Sequence, residues 1–250
     1  MVFYSITLVP LVEELRAVDP GLLSTFYADN VAFDGSAQRS AQLLNMLMKM
    51  GPDRGYLPDP AKSLFISNTP WQEEEARRDF LEEGLVLNFV GGSRYLGAYL
   101  CPQEELEAWV KPQVEAWAHR VRFLGKISQQ HPQLSYAGLG MPLQLEWQYL
   151  QSNVPGVGNL MGPIEEALKK KFLPTIFGEE EINADFRKIL GHSFKRGSLG
   201  IPDPRLSAES SYNTSKAASW ELVYSLLGVS SLNYVGHRAC VRREILAERR

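Results

Sequence analysis

The chain has 250 residues, of which 44% are hydrophobic and 22% charged, the balance of a globular protein with a core to bury. A formal net charge of −3 argues against a function that rests on whole-chain attraction to nucleic acid. Mean hydropathy of −0.20 and the lack of any ~18-residue apolar run exclude a polytopic membrane protein, and two cysteines are too few for a disulfide framework.

The first residues lack the basic region and small-residue cleavage site of a secretory signal, so the expected setting is intracellular, in cytoplasm or nucleus. Residues 2–16 place apolar side chains at Val2, Phe3, Ile6, Leu8, Val9, Leu11, Val12 and Leu15, a helical rhythm that Pro10 is expected to kink or break. No capping residue precedes the run, so the chain is expected to begin inside an element. Asp19-Pro20-Gly21 signals a turn. Residues 22–33 read as a hairpin, with strands at 22–28 and 31–33 and Asp29-Asn30 at its turn. Ser36 is a candidate cap for a helix over 37–50, striped by Leu43, Leu44, Leu47 and Met50 and stopped by Gly51-Pro52. Lys62 to Ser67 reads as a strand and residues 71–83 as a charged helix. Leu85 to Val90 reads as another strand. After the Gly91-Gly92 turn, residues 93–100 read as one further strand. Residues 1–100 thus have an α+β rhythm.

Beyond Pro102 the pattern turns helical. Trp109, Val110, Val114, Trp117, Val121 and Leu124 line one face of a long helix, with His119, Arg120, Arg122 and Lys126 mostly off it. Further helical runs fall near 129–152, 162–173, 179–194, 206–228 and 235–248. A boundary is expected near residue 101, giving domains over 1–100 and 101–250.

Tyr27-Ala28-Asp29-Asn30 is the most informative string. A carboxylate at a hairpin tip is well placed to hold a hard divalent cation through oxygen ligands. Asp-Asn is also simply good turn chemistry, and a strand-end lysine such as Lys62 is usually solvated. Tyr95 and Leu96 suit an ordinary strand, with Gly97 as a bulge.

The order of FYADNVAFDGS, a helix, GYLPDPAKSLFI and GSRYLGAYL resembles the later half of a reverse-transcriptase palm, of the kind carried by non-LTR retrotransposons. In that family a Tyr-x-Asp-Asp hairpin presents catalytic carboxylates, a strand lysine lies near the incoming nucleotide, and a Leu-Gly hairpin grips the primer. The resemblance implies RNA-directed DNA polymerisation, a nucleotidyl transfer, with Mg²⁺ as cofactor and RNA template and DNA primer as partners. It gives Asp29 as metal ligand and Lys62 as general acid. Tyr95, Leu96 and Gly97 become the primer grip, and Tyr27, Arg120, Arg122 and Lys126 nucleic-acid contacts. Residues 137–178 are similar in wording to the helical thumb of such enzymes. The expected fold is therefore α+β, a partial polymerase palm followed by a mostly helical thumb-like region. Asp29, Lys62 and the Tyr95 strand are expected to converge on one groove.

The departures carry equal weight. Asn30 stands where the family has a second aspartate, and neither the family's earlier aspartate motif nor its Gln-Gly motif occurs here. The resemblance implies a chain that starts just after the Gln-Gly motif, N-terminally truncated. Two-metal chemistry needs both ions clamped, and Asp29 with neutral Asn30 supplies a single charged ligand. The chain is expected to be inactive alone, a pseudoenzyme with weak or absent Mg²⁺ binding. The alternative is a non-enzymatic remnant that binds nucleic acid, or a protein partner covering the exposed palm face.

Other signals are weaker. Lys169-Lys170-Lys171 behind Glu165-Glu166 reads as a self-paired helical face. The arginines at 238, 242, 243, 249 and 250 make a locally basic end. Tyr212 and Lys216 match the Tyr-x-x-x-Lys of short-chain dehydrogenases, but no Gly-rich strand-to-helix turn lies in residues 1–40. Gly156-Val157-Gly158 misses the dinucleotide spacing and reads as a loop between helices. The four histidines are scattered without metal-ligand spacing.

Overall fold

The computed structural model describes residues 2–18, 21, 23–27, 30–67, 69–96, 98–100 and 103–248. The chain is 69% helical with small two-stranded sheets, a mixture of helix and strand compatible with α+β. It divides into a unit of residues 1–93 and a unit of residues 94–250. The division falls before residue 101, so the Tyr95 hairpin goes with the helical unit.

The first unit begins with α1 (Val2–Val18), which runs unbroken through Pro10. Leu8, Leu11 and Leu15 form its buried stripe, while Ile6, Val9 and Val18 stay exposed. Strands β1 (Leu23–Tyr27) and β2 (Asn30–Asp34) pair antiparallel from Leu23↔Asp34 to Tyr27↔Asn30. Ser36 caps α2 (Ala37–Met50) through its hydroxyl, which accepts from the Arg39 amide. Leu43, Leu44 and Leu47 of α2 face Leu8, Leu11 and Leu15 in one core, and Glu14 closes an ion pair on Arg54 at 2.6 Å.

Strand β3 (Leu64–Ile66), helix α3 (Pro70–Glu82) and strand β4 (Asn88–Val90) form a βαβ unit, with β3 and β4 parallel in register Leu64↔Asn88 to Ile66↔Val90. Both strands are three residues long, shorter than the alternation in the sequence suggests. Phe65, Phe80 and Phe89 lock them to α3, with ring centroids 5.2 to 6.3 Å apart, and the Arg77 guanidinium lies 4.1 Å over Phe89.

The second unit opens with β5 (Ser93–Tyr95) and β6 (Ala98–Leu100), a hairpin where the sequence suggested one continuous strand. Its turn holds Leu96 at φ 47°, in the left-handed region. Helix α4 (Gln103–Ser128) follows and buries Val110, Val114, Trp117 and Val121, the predicted stripe. Helices α5 (Pro132–Gly138) and α6 (Gln144–Asn153) are joined by a wide π turn at Leu139–Leu143. Helices α7 (Gly162–Ala167) and α8 (Leu173–Phe177) are joined by another at Leu168–Phe172. Pro142 and Pro174 lack the amide that a regular helix would use, which suits both widenings. Helix α9 (Ala184–Leu190) and the long pair α10 (Pro204–Leu226) and α11 (Tyr234–Glu248) complete the unit. Leu139, Met161, Ile164, Leu168, Phe172 and Leu173 fill its centre.

Two close approaches depend on glycine. A Cβ on Gly125 of α4 would stand 3.0 Å from the Lys171 carbonyl oxygen, and one on Gly158 would stand 2.8 Å from the Arg205 carbonyl oxygen. The Gly156-Val157-Gly158 string is therefore a packing device: Gly156 turns at φ 72° and Gly158 lets α10 start against the short 3₁₀ turn Val157–Met161.

Candidate functional site

The β1–β2 hairpin carries the expected site. Tyr27↔Asn30 is its last pair, so two residues separate the strands, and Tyr27 is exposed. Ala28 and Asp29, the predicted catalytic and metal-holding residue, lie outside the described residues. Lys62 ends a one-turn 3₁₀ helix, Pro60–Lys62, instead of starting a strand. The Asp59 carboxylate caps that turn from its own side chain, and Lys62 Nζ lies 3.2 Å from it with the lysine side chain 85% exposed. The turn wins over the strand because Pro60 fits the first helical position and supplies no amide for strand pairing.

Tyr95 is half-buried on β5, and its hydroxyl is buried with no hydrogen-bond partner among the described residues. Leu96 is exposed at the turn, and its carbonyl accepts from the Tyr149 hydroxyl of α6. Gly97 lies outside the described residues. Among the described residues β1–β2, β3–β4 and β5–β6 form three two-stranded sheets, so the Tyr95 strand shares no sheet with the β1–β2 hairpin or with β3, the strand that follows Lys62.

Arg120, Arg122 and Lys126 lie along α4 as predicted. Arg120 pairs with Glu146 at 2.8 Å, Arg122 is half-buried and lends its charge to Glu166, and Lys126 is exposed. Glu166 is held below the usual carboxylate range first by the 2.7 Å hydrogen bond from Lys170 and then by that lysine's charge. This i,i+4 pair is the predicted self-pairing of the lysine run. Glu165 departs from it: it turns inward and meets Arg187.

Mg²⁺ would need several hard oxygen ligands in near-octahedral array. In the sequence, Asp29 is followed by the neutral amide of Asn30. Among the described residues no group of three or more His, Cys, Asp or Glu side chains is gathered to hold a metal ion. Among the described residues no helix is long and apolar enough to cross a membrane.

Two constellations in the second unit carry no signal in the sequence. Arg187 and Glu165, 7% and 5% exposed, form a fork of Nε–Oε1 at 2.8 Å and a terminal amine–Oε2 at 2.6 Å. The Arg187 guanidinium also donates to the carbonyls of Ile201 and Pro202. Around Trp117, Glu146 accepts from the indole N–H at 2.7 Å and from Arg120 at 2.8 Å, at the edge of a groove that Arg94, Met141 and Tyr149 also line. Both join residues separated by twenty or more positions, a distance over which helical periodicity is silent. Compared with known proteins, the chain matches no protein-family model, no curated protein and no solved structure.

Proposed function

We propose that this chain is a polypeptide related to reverse transcriptases, with a palm-like first unit and a thumb-like helical second unit, that engages an RNA template and DNA primer without carrying out nucleotidyl transfer. The observation that supports the reading is the hairpin register. Closure of Tyr27 on Asn30 leaves a two-residue tip between them, at the position where the family displays its carboxylate, and a capped helix comes directly after. Lack of turnover follows from the residue types: with Asn30 neutral, the Asp29-Asn30 pair supplies one charged oxygen donor where in-line phosphoryl transfer needs both ions clamped. The general-acid role for Lys62 remains part of the same proposal; its side chain is 85% exposed, with Nζ 3.2 Å from the Asp59 carboxylate.

One observation favours the partner-binding alternative. Leu57, Trp71, Leu81 and Val86 of the first unit are all exposed, large and apolar. A primer–template retention assay over a salt series, run beside Mg²⁺-dependent primer extension, separates the readings. Retention that weakens with salt, with no extension, is expected. Extension by the pure chain would overturn the loss of turnover. Absence of retention would leave these exposed apolar side chains, and so a protein partner, as the function.

A further inference from the structure

We infer that the groove between α4 and α6 in the second unit binds a small organic anion with a flat apolar body and a single carboxylate-type charge. The inference does not depend on the polymerase relationship. The groove has a volume of about 560 Å³, within the range of ligand pockets. Its walls mix polar and apolar side chains, and two of the apolar ones are bare: Met141 is 73% and Leu145 58% exposed, on the wide turn and the first turn of α6 respectively.

The polar groups are fixed in advance. Glu146 is held from two sides by the Trp117 indole and Arg120, which orients the Arg120 guanidinium along the rim. Only one of its amines is engaged by Glu146, and an arginine carries five donors. Arg94 lines the same groove from β5, exposed and without a carboxylate partner among the described residues. The residues just beyond its strand are held twice: the Tyr149 hydroxyl donates to the Leu96 carbonyl, and the Tyr99 ring of β6 stacks on Trp109 at 4.6 Å and 10°. Two cations against one carboxylate leave the rim one positive charge in excess, and a planar guanidinium matches a carboxylate in fork geometry. The same arithmetic disfavours a polyphosphate strand, because one excess positive charge offsets one phosphate and leaves the rest uncompensated.

Isothermal titration of the full chain with 2-naphthoate, and with 2-naphthylmethanol as its uncharged counterpart, tests the assignment. One saturable site is expected for naphthoate, with the alcohol about tenfold weaker. Arg94→Gln should weaken naphthoate by about the same factor and leave the alcohol unchanged. Met141→Trp should abolish both by filling the groove. Both positions are exposed, and unchanged thermal unfolding of the two variants checks that they fold. Equal affinity for the two probes, insensitivity to Arg94→Gln, or no saturable binding would overturn the inference. So would displacement of naphthoate by a thymidine oligonucleotide, which would hand the groove to nucleic acid.

Discussion

Arg187 and Glu165 show how much can rest on two side chains. The pair is desolvated on both sides, and its remaining donors reach the carbonyls of Ile201 and Pro202, so it ties α7, α9 and the lead into α10 together. Arg187→Leu strands a buried carboxylate and should cost about 3–5 kcal/mol in chemical denaturation, whereas replacing both partners by apolar residues should cost far less. Asp203 acts at the same scale. Its carboxylate caps α10 by accepting from the Arg205 amide at 2.9 Å. Burial pushes its pKa up, but the hydrogen bonds from Arg205 and the charges of Arg205 and Arg187 outweigh that and hold it low. A folded-state pKa below the unfolded one gives stability that is present above the ordinary aspartate range, about pH 4, and drains away as pH falls through the folded value. Asp203→Ala should remove about 1 kcal/mol at neutral pH and flatten that acid limb in a pH series of thermal melts. Capping signals such as Ser36 are legible because they act over three residues. The inward turn of Glu165 is not, since Glu165 and Glu166 look alike until Arg187, 22 positions away, takes one of them.

At the scale of elements, the β5–β6 hairpin is where local preference and tertiary demand conflict. Leu96, directly after β5, adopts φ 47°, in the left-handed region and against its own preference. The Tyr149 hydroxyl on its carbonyl and the Tyr99–Trp109 stack hold it in place. Leu96→Gly should relieve about 1 kcal/mol of strain and raise the unfolding midpoint of the second unit, while Tyr149→Phe, which frees the turn, should lower it. The apolar and aromatic residues over 93–100 suggested one strand, because strand-favouring composition does not report where a strand folds back. Helices were more legible. The apolar stripe of α4 predicted its buried face through Val121, and α2 began and ended at its signalled residues. Pro10 misled in the other direction. A proline costs a helix one amide bond, and here the buried Leu8, Leu11 and Leu15 on either side offset that cost.

For the whole molecule, each unit encloses its own apolar cluster, one around Leu11 and Leu47 and the other around Met161 and Phe172. Residues 94–250 produced alone should therefore fold, with a cooperative thermal transition and a helical far-ultraviolet dichroism spectrum; a non-cooperative melt would show that the second cluster depends on the first unit. The wide turn at Leu168–Phe172 has a consequence for how this chain tolerates change in length. A π turn is one residue accommodated in excess of a regular helix, and this one presses the Lys171 carbonyl toward the spot that Gly125 leaves open. Loss of one lysine from the triplet would tighten the turn to ordinary pitch and keep Leu173 and Pro174 aimed inward, whereas a deletion further along α8 would swing the rest of that helix by about 100°. The same shortening would draw the carbonyl back and make room for alanine at 125, so that two lesions, each harmful or neutral by itself, become a compensated pair.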